Sequence, residues 1–91
     1  MEIVIHPRIS KRHPELQSED IRVAWENFLL SGMRAKSKRF PEEVRVGYDK
    51  QGREIEMVGT MSEGSWLIFH AMTPPSKKMI IELDKIRRNR R

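Results

Sequence analysis

Residues 44–72, VRVGYDKQGREIEMVGTMSEGSWLIFHAM, constrain the fold more than any other part of this chain. Val44, Val46 and Tyr48 alternate with Arg45, Gly47 and Asp49, the period-two pattern of a half-buried strand. Asp49-Lys50-Gln51-Gly52 then carries turn chemistry, with Gly52 free to take a positive φ. Residues 53–60, REIEMVGT, resume as a second strand of mixed apolar and charged residues. Ser62-Glu63-Gly64 supplies another turn before 65–72, SWLIFHAM, which is apolar on both faces, as suits a strand covered on two sides. An antiparallel meander is the economical arrangement. So small a sheet cannot bury its own face in water and needs helices from the rest of the chain.

The flanking sequence offers them. Glu2-Ile3-Val4-Ile5 is β-prone and predicts a short N-terminal strand, ended by His6-Pro7. Residues 8–13, RISKRH, lie between Pro7 and Pro14 and predict a helical turn or two. Ser18 is a capping residue, and Glu19 and Asp20 suit the positive end of a helix dipole. Ile21, Trp25, Phe28 and Leu29 follow at i, i+4, i+7 and i+8, predicting a helix over 19–31 that stops at Gly32 and covers the sheet. Residues 33–41, MRAKSKRFP, read as a basic surface loop. Thr73-Pro74-Pro75-Ser76 breaks the chain, and Met79, Ile80, Leu83 and Ile86 mark a second amphipathic helix over 76–88. A frayed basic tail is expected at 87–91. The predicted order is β-α-α-β-β-β-α in a single domain. The fold class is α+β: a small antiparallel sheet, made of the three-stranded meander and the short N-terminal strand, flanked by helices.

Composition narrows the function classes. Hydrophobic residues are 37% and charged residues 34% of 91, too mixed for disorder and too polar for a membrane protein. No apolar run approaches the roughly 20 residues of a spanning helix. MEIVIHPR lacks a basic segment followed by an apolar one, so no signal peptide is expected. There is no cysteine, hence no disulfide framework and no thiolate metal site, and a reducing cytoplasm is the simplest location. The net charge of +5 favours polyanionic partners without saying which.

No metal signature is present: His6, His13 and His70 are far apart in sequence and no HExxH motif occurs. Neither is there a glycine-rich phosphate loop or a serine in the context of an activated nucleophile. What remains are clusters of His, Lys and Arg. Lys11, Arg12 and His13 precede the long helix, Arg45 and Arg53 lie on the strands of the first hairpin, and His70 ends the last strand near Lys77 and Lys78. In a meander, His70, Lys77 and Lys78 are brought to one edge. Such a set suits cleavage of an RNA phosphodiester, which needs a base for the 2′-OH, cations for the phosphorane and an acid for the leaving oxygen. Histidine serves as base or acid because an unperturbed imidazole titrates near 6.5, and Lys and Arg neutralise phosphate without a metal or other cofactor. Each residue also has a plain structural reading: His70 as a hydrogen-bonded strand histidine, the lysines and arginines as solvated surface charge, Trp25 and Trp66 as core.

Three segments, KRHPELQSEDI (11–21), YDKQGREIEMVGTM (48–61) and WLIFHAMTPPSKK (66–78), together resemble the BrnT-like ribonuclease toxins of the RelE-like type II toxin–antitoxin group. The resemblance implies a RelE-like compact sheet flanked by helices, metal-independent RNA cleavage, and neutralisation by a cognate antitoxin protein. It matches His13 to the family's histidine before the helix and Arg53 to a basic strand residue. Lys77 and Lys78 fall at the start of the closing helix, where lysines replace the usual arginines, and a long basic stretch at 33–41 departs from the pattern. The expected roles are proton transfer by His13 and His70, phosphate stabilisation by Lys77 and Lys78, and RNA binding by Lys11, Arg12, Arg45 and Arg53. The rival expectation is a non-catalytic basic module that binds nucleic acid or regulates; a protein-interaction domain with incidental charge is a third.

Overall fold

The alternation in 44–72 resolves into three strands in the computed structural model, which describes residues 2–34 and 40–88. In chain order the elements are β1 (Ile3–Ile5), α1 (Arg8–Arg12), α2 (Ser18–Glu26), β2 (Phe28–Met33), β3 (Glu42–Tyr48), β4 (Glu54–Ser62), β5 (Ser65–Met72) and α3 (Lys77–Arg88). They build an α+β fold around one five-stranded mixed sheet of order β1-β5-β4-β3-β2. β2 to β5 run antiparallel in sequence, and β1 adds to β5 in parallel.

Both hairpin turns follow from their residues. Asp49 closes the β3–β4 turn: its carboxylate accepts N–H bonds from Gln51 and Arg53, each at 2.9 Å, and Gly52 follows at φ 81°. The β4–β5 turn has two residues, Glu63 at φ 52° and Gly64 at φ 80°, the doubly left-handed geometry that matches the twist of a tight hairpin.

Three expectations require correction. Phe28–Met33 is not the end of a helix but β2, the edge strand beside β3. Asn27 ends α2, its backbone N–H bonding to Val23 O at 2.9 Å, and the chain then extends. The apolar run FLL fits either period, and here pairing along β3 wins over helix propagation. Phe28 lies against the Arg45 guanidinium, Leu30 packs into the core on the opposite face, and Gly32, expected to stop a helix, is buried beneath Ile86. The predicted cap also moves: Ser18 is the first helical residue, and Asp20 reaches back to accept from Gln17 N at 2.9 Å. At the other end, Arg87 and Arg88 belong to the last turn of α3 rather than to a frayed tail, while 89–91, like 35–39 of the predicted basic loop, lie outside the described residues.

The sheet buries both faces. On one, Ile9, Leu16, Ile21, Ala24 and Trp25 from the α1–α2 side meet Ile55, Met57, Ile68 and Ala71. On the other, Met79 and Leu83 of α3 meet Val44, Val46 and Val58, with Leu30, Phe69 and Ile86 packed around them. α2 approaches the sheet closely at Gly47, where an added Cβ would lie 2.0 Å from Ala24 O.

Candidate functional site

The site grows from a charged residue where alternation calls for an apolar one. On β4, Ile55 and Met57 face α2 and Val58 faces α3. Glu56 takes the α3 side with them, at only 3% exposure. A buried carboxylate has to be hydrogen-bonded to be tolerated. Glu56 Oε2 lies 2.7 Å from His70 Nε2, and Oε1 accepts from Ser76 N at 2.6 Å. Ser76 in turn caps α3, its Oγ accepting from Met79 N at 3.1 Å. One carboxylate therefore ties together β4, the end of β5 and the start of α3.

Burial pushes the Glu56 carboxyl upward, but the bond from His70 and the N–H of Ser76 outweigh it and hold the group below the ordinary carboxylate range. An ionised carboxylate only accepts, so His70 Nε2 must be the donor. That leaves the lone pair of the neutral ring on Nδ1, which has no hydrogen-bond partner among the described residues. With its side chain 37% exposed, the ring is reachable.

A β-bulge brings a cation beside it. Val58 pairs with His70 but Gly59 pairs with Ile68, so Phe69 is the extra residue. Its carbonyl accepts from Arg8 Nε at 3.3 Å and Nη2 at 3.1 Å, which pins that guanidinium alongside the histidine. Arg8, Phe69 and His70 form the shared border of two adjoining hollows. The smaller, about 70 Å³, is completed by Arg12 and His13 at the end of α1, over Ile9 and Ala71. The larger, about 320 Å³, continues past Glu56 to Lys78 and to an Arg34–Glu82 ion pair. His13 Nδ1 is 3.8 Å from Glu15 Oε2, too long for a hydrogen bond.

The arrangement offers two imidazoles flanking a small, cation-lined hollow, one of them backed by a buried carboxylate. That is equipment for moving protons at an anionic centre.

Of the residues expected from sequence, His13, His70 and Arg12 meet at the smaller hollow, and Lys78 lines the larger. Lys77 and Lys11 are exposed and border neither. Arg45 is turned inward, at 13% side-chain exposure. Its guanidinium lies 4.0 Å from the Trp25 ring centroid and 4.3 Å from that of Phe28, and it is paired with Glu43. Arg53 is bound by Asp49 at 2.8 Å and Asp20 at 3.2 Å, and also donates to Glu15 O. These two arginines thus serve the fold. Sequence reasoning missed Glu56 and Arg8. Glu56 had a signal, a carboxylate at an inward position of a strand buried on both sides; Arg8 had none, because only the bulge at Phe69 gives it a place.

Among the described residues no three His, Asp or Glu side chains gather as a metal site, and no helix is long and apolar enough to cross a membrane. No family model, curated protein or solved structure matches the chain.

Proposed function

We propose that this protein is an endoribonuclease, the toxin of a type II toxin–antitoxin pair, with a RelE-like fold and a cytoplasmic site of action. The observation that carries the catalytic part is the Glu56–His70 pair facing, across Arg8, the His13–Arg12 end of α1. The toxin assignment rests on the resemblance of the segments around His13, Arg53 and His70 to the BrnT-like toxins. The net charge of +5 supports a polyanionic substrate and an acidic protein partner.

In this reading the scissile phosphate occupies the smaller hollow. Nδ1 of His70 takes the proton from the 2′-OH as the 2′-oxygen bonds to phosphorus. The P–O5′ bond breaks, and the leaving oxygen takes a proton from His13. Glu56 stabilises the imidazolium formed on His70, as a carboxylate behind a histidine base does in other enzymes. Arg8 and Arg12 neutralise charge on the phosphorane, with Lys78 at the margin. The products are a 2′,3′-cyclic phosphate and a 5′-hydroxyl. Lys77 has no part.

Brief induction in a bacterium, with growth followed and RNA 5′ ends mapped, tests the proposal. Arrest with new RNA ends from the parent, and neither from a soluble, folded His13→Ala, His70→Ala protein, is the expected result. Salt-sensitive RNA binding with no new ends would instead favour a binding module.

A further inference from the structure

An open sheet has two edges, each with unpaired backbone groups that can template another strand. Here the two differ. β1 is three residues long, Pro7 follows it closely, and Arg22 Nη2 donates to Ile3 O at 3.3 Å. That arginine covers an acceptor which the pairing of β1 with β5 leaves facing outward. β2 has no such cover. Its residues, FLLSGM, include neither a charge nor a proline, in a chain that is 34% charged. Arg34 N donates to Glu42 O at 3.0 Å, so alternation gives Gly32 and Leu30 to the β3 ladder. The N–H and C=O of Ser31 and Met33 then turn outward, where no described group meets them. Leu29, at 62% the most exposed large apolar side chain among the described residues, stands two residues before Ser31. Two residues after Ser31, Met33 helps to line a hollow of about 260 Å³ with Ser31, Gly32, Glu43 and Ile86. Knob and hollow are equally spaced about Ser31.

We propose that the free edge of β2 is a homodimer interface, at which two copies pair their β2 strands antiparallel about a two-fold axis through Ser31. A two-fold interface needs a self-complementary patch, and this spacing supplies one. Ser31 opposes Ser31 of the second copy, and the two exchange both N–H···O bonds. Each Leu29 opposes Met33 of the other copy and enters its hollow. A second copy also brings an uncharged strand to an uncharged edge, so no side-chain charge is stripped of water. Each copy carries a net charge of +5, so repulsion between them opposes pairing and salt relieves it. β2 lies three strands from β5, and pairing there leaves the groove around His70 open.

The test is sedimentation equilibrium of the full chain over a range of concentration and salt. So small an interface predicts a dissociation constant on the order of 10–100 µM. Association is expected to tighten as salt rises, the opposite of the response of polyanion binding. Leu29→Lys sets a charge against the hollow, and is expected to weaken association about tenfold or more while leaving the melting temperature of the dilute protein unchanged. Because the chain has no cysteine, Ser31→Cys reports the register. Hydrogen-bonded positions across an antiparallel pair lie about 5.5 Å apart at Cα, within disulfide reach. Ser31→Cys is therefore expected to crosslink on mild oxidation much faster than Lys50→Cys, on the exposed β3–β4 turn. A monomer throughout, a dimer that loosens with salt, or a dimer indifferent to Leu29→Lys would overturn the proposal. So would equal crosslinking of the two cysteine variants, or a chain that is monomeric alone and pairs at β2 only with a different protein.

Discussion

Asp49 and Glu56 are buried carboxylates with opposite duties, one closing a turn and the other backing a histidine. Burial pushes each upward, and in each case hydrogen bonds prevail and hold the carboxyl below its ordinary range: backbone and side-chain bonds from Arg53 at Asp49, His70 and Ser76 at Glu56. A carboxyl whose folded pKa lies below its unfolded value binds protons more readily in the unfolded chain. Its stabilisation is therefore complete above the unfolded pKa, about 4, and disappears as pH falls through the folded one. The melting temperature is expected to drop as pH is lowered through this window. Asp49→Asn should lower it at pH 7 and flatten the acid decline, as read by thermal melts from pH 7 to 3. A full acid decline in the variant would assign it to other groups. At this scale the sequence was half legible. The histidines and Arg12 stood out by type, but Arg45 could not be assigned to the interior, because nothing in its neighbours announces that Trp25, Phe28 and Trp66 converge on it.

Among the elements, alternation made β3 readable, a mixed run and a wholly apolar run between glycine turns did the same for β4 and β5, and Met79 and Leu83 made α3 readable. β2 was not, because FLL followed by Ser-Gly satisfies a helix ending as well as a strand, and only the unpaired side of β3 decides between them. The close approach of α2 to β3 also has no sequence signature beyond a glycine. Gly47→Ala would drive a methyl into Ala24 O and move the helix, and the expected cost is about 1–3 kcal/mol in a denaturant melt. An unchanged midpoint would mean that α2 is less firmly seated. The β4–β5 turn offers the converse. Glu63 holds a left-handed conformation that asparagine tolerates better, so Glu63→Asn should stabilise by about 0.5–1 kcal/mol.

For the molecule as a whole, the sheet is a platform covered on both faces whose chemistry collects around the end of β5, where α1 and the start of α3 meet it. The bulge at Phe69, the proline-rich 73–76 connection and the cap at Ser76 bring residues far apart in sequence to one groove. That assembly is why the site was only partly legible: two of its members, Glu56 and Arg8, acquire meaning through contacts that span the chain. Lys77 and Lys78 illustrate the same point, since adjacent residues on α3 separate into one outside the groove and one lining it. The measurement that bears most directly on the account is incubation of the purified protein with end-labelled single-stranded RNA in EDTA, with product ends identified. The parent and Lys77→Ala are expected to leave 2′,3′-cyclic phosphate ends, and His70→Ala and His13→Ala to lose about a hundredfold or more in folded protein. Intact RNA with the folded parent, or full activity in both histidine variants, would contradict the nuclease reading.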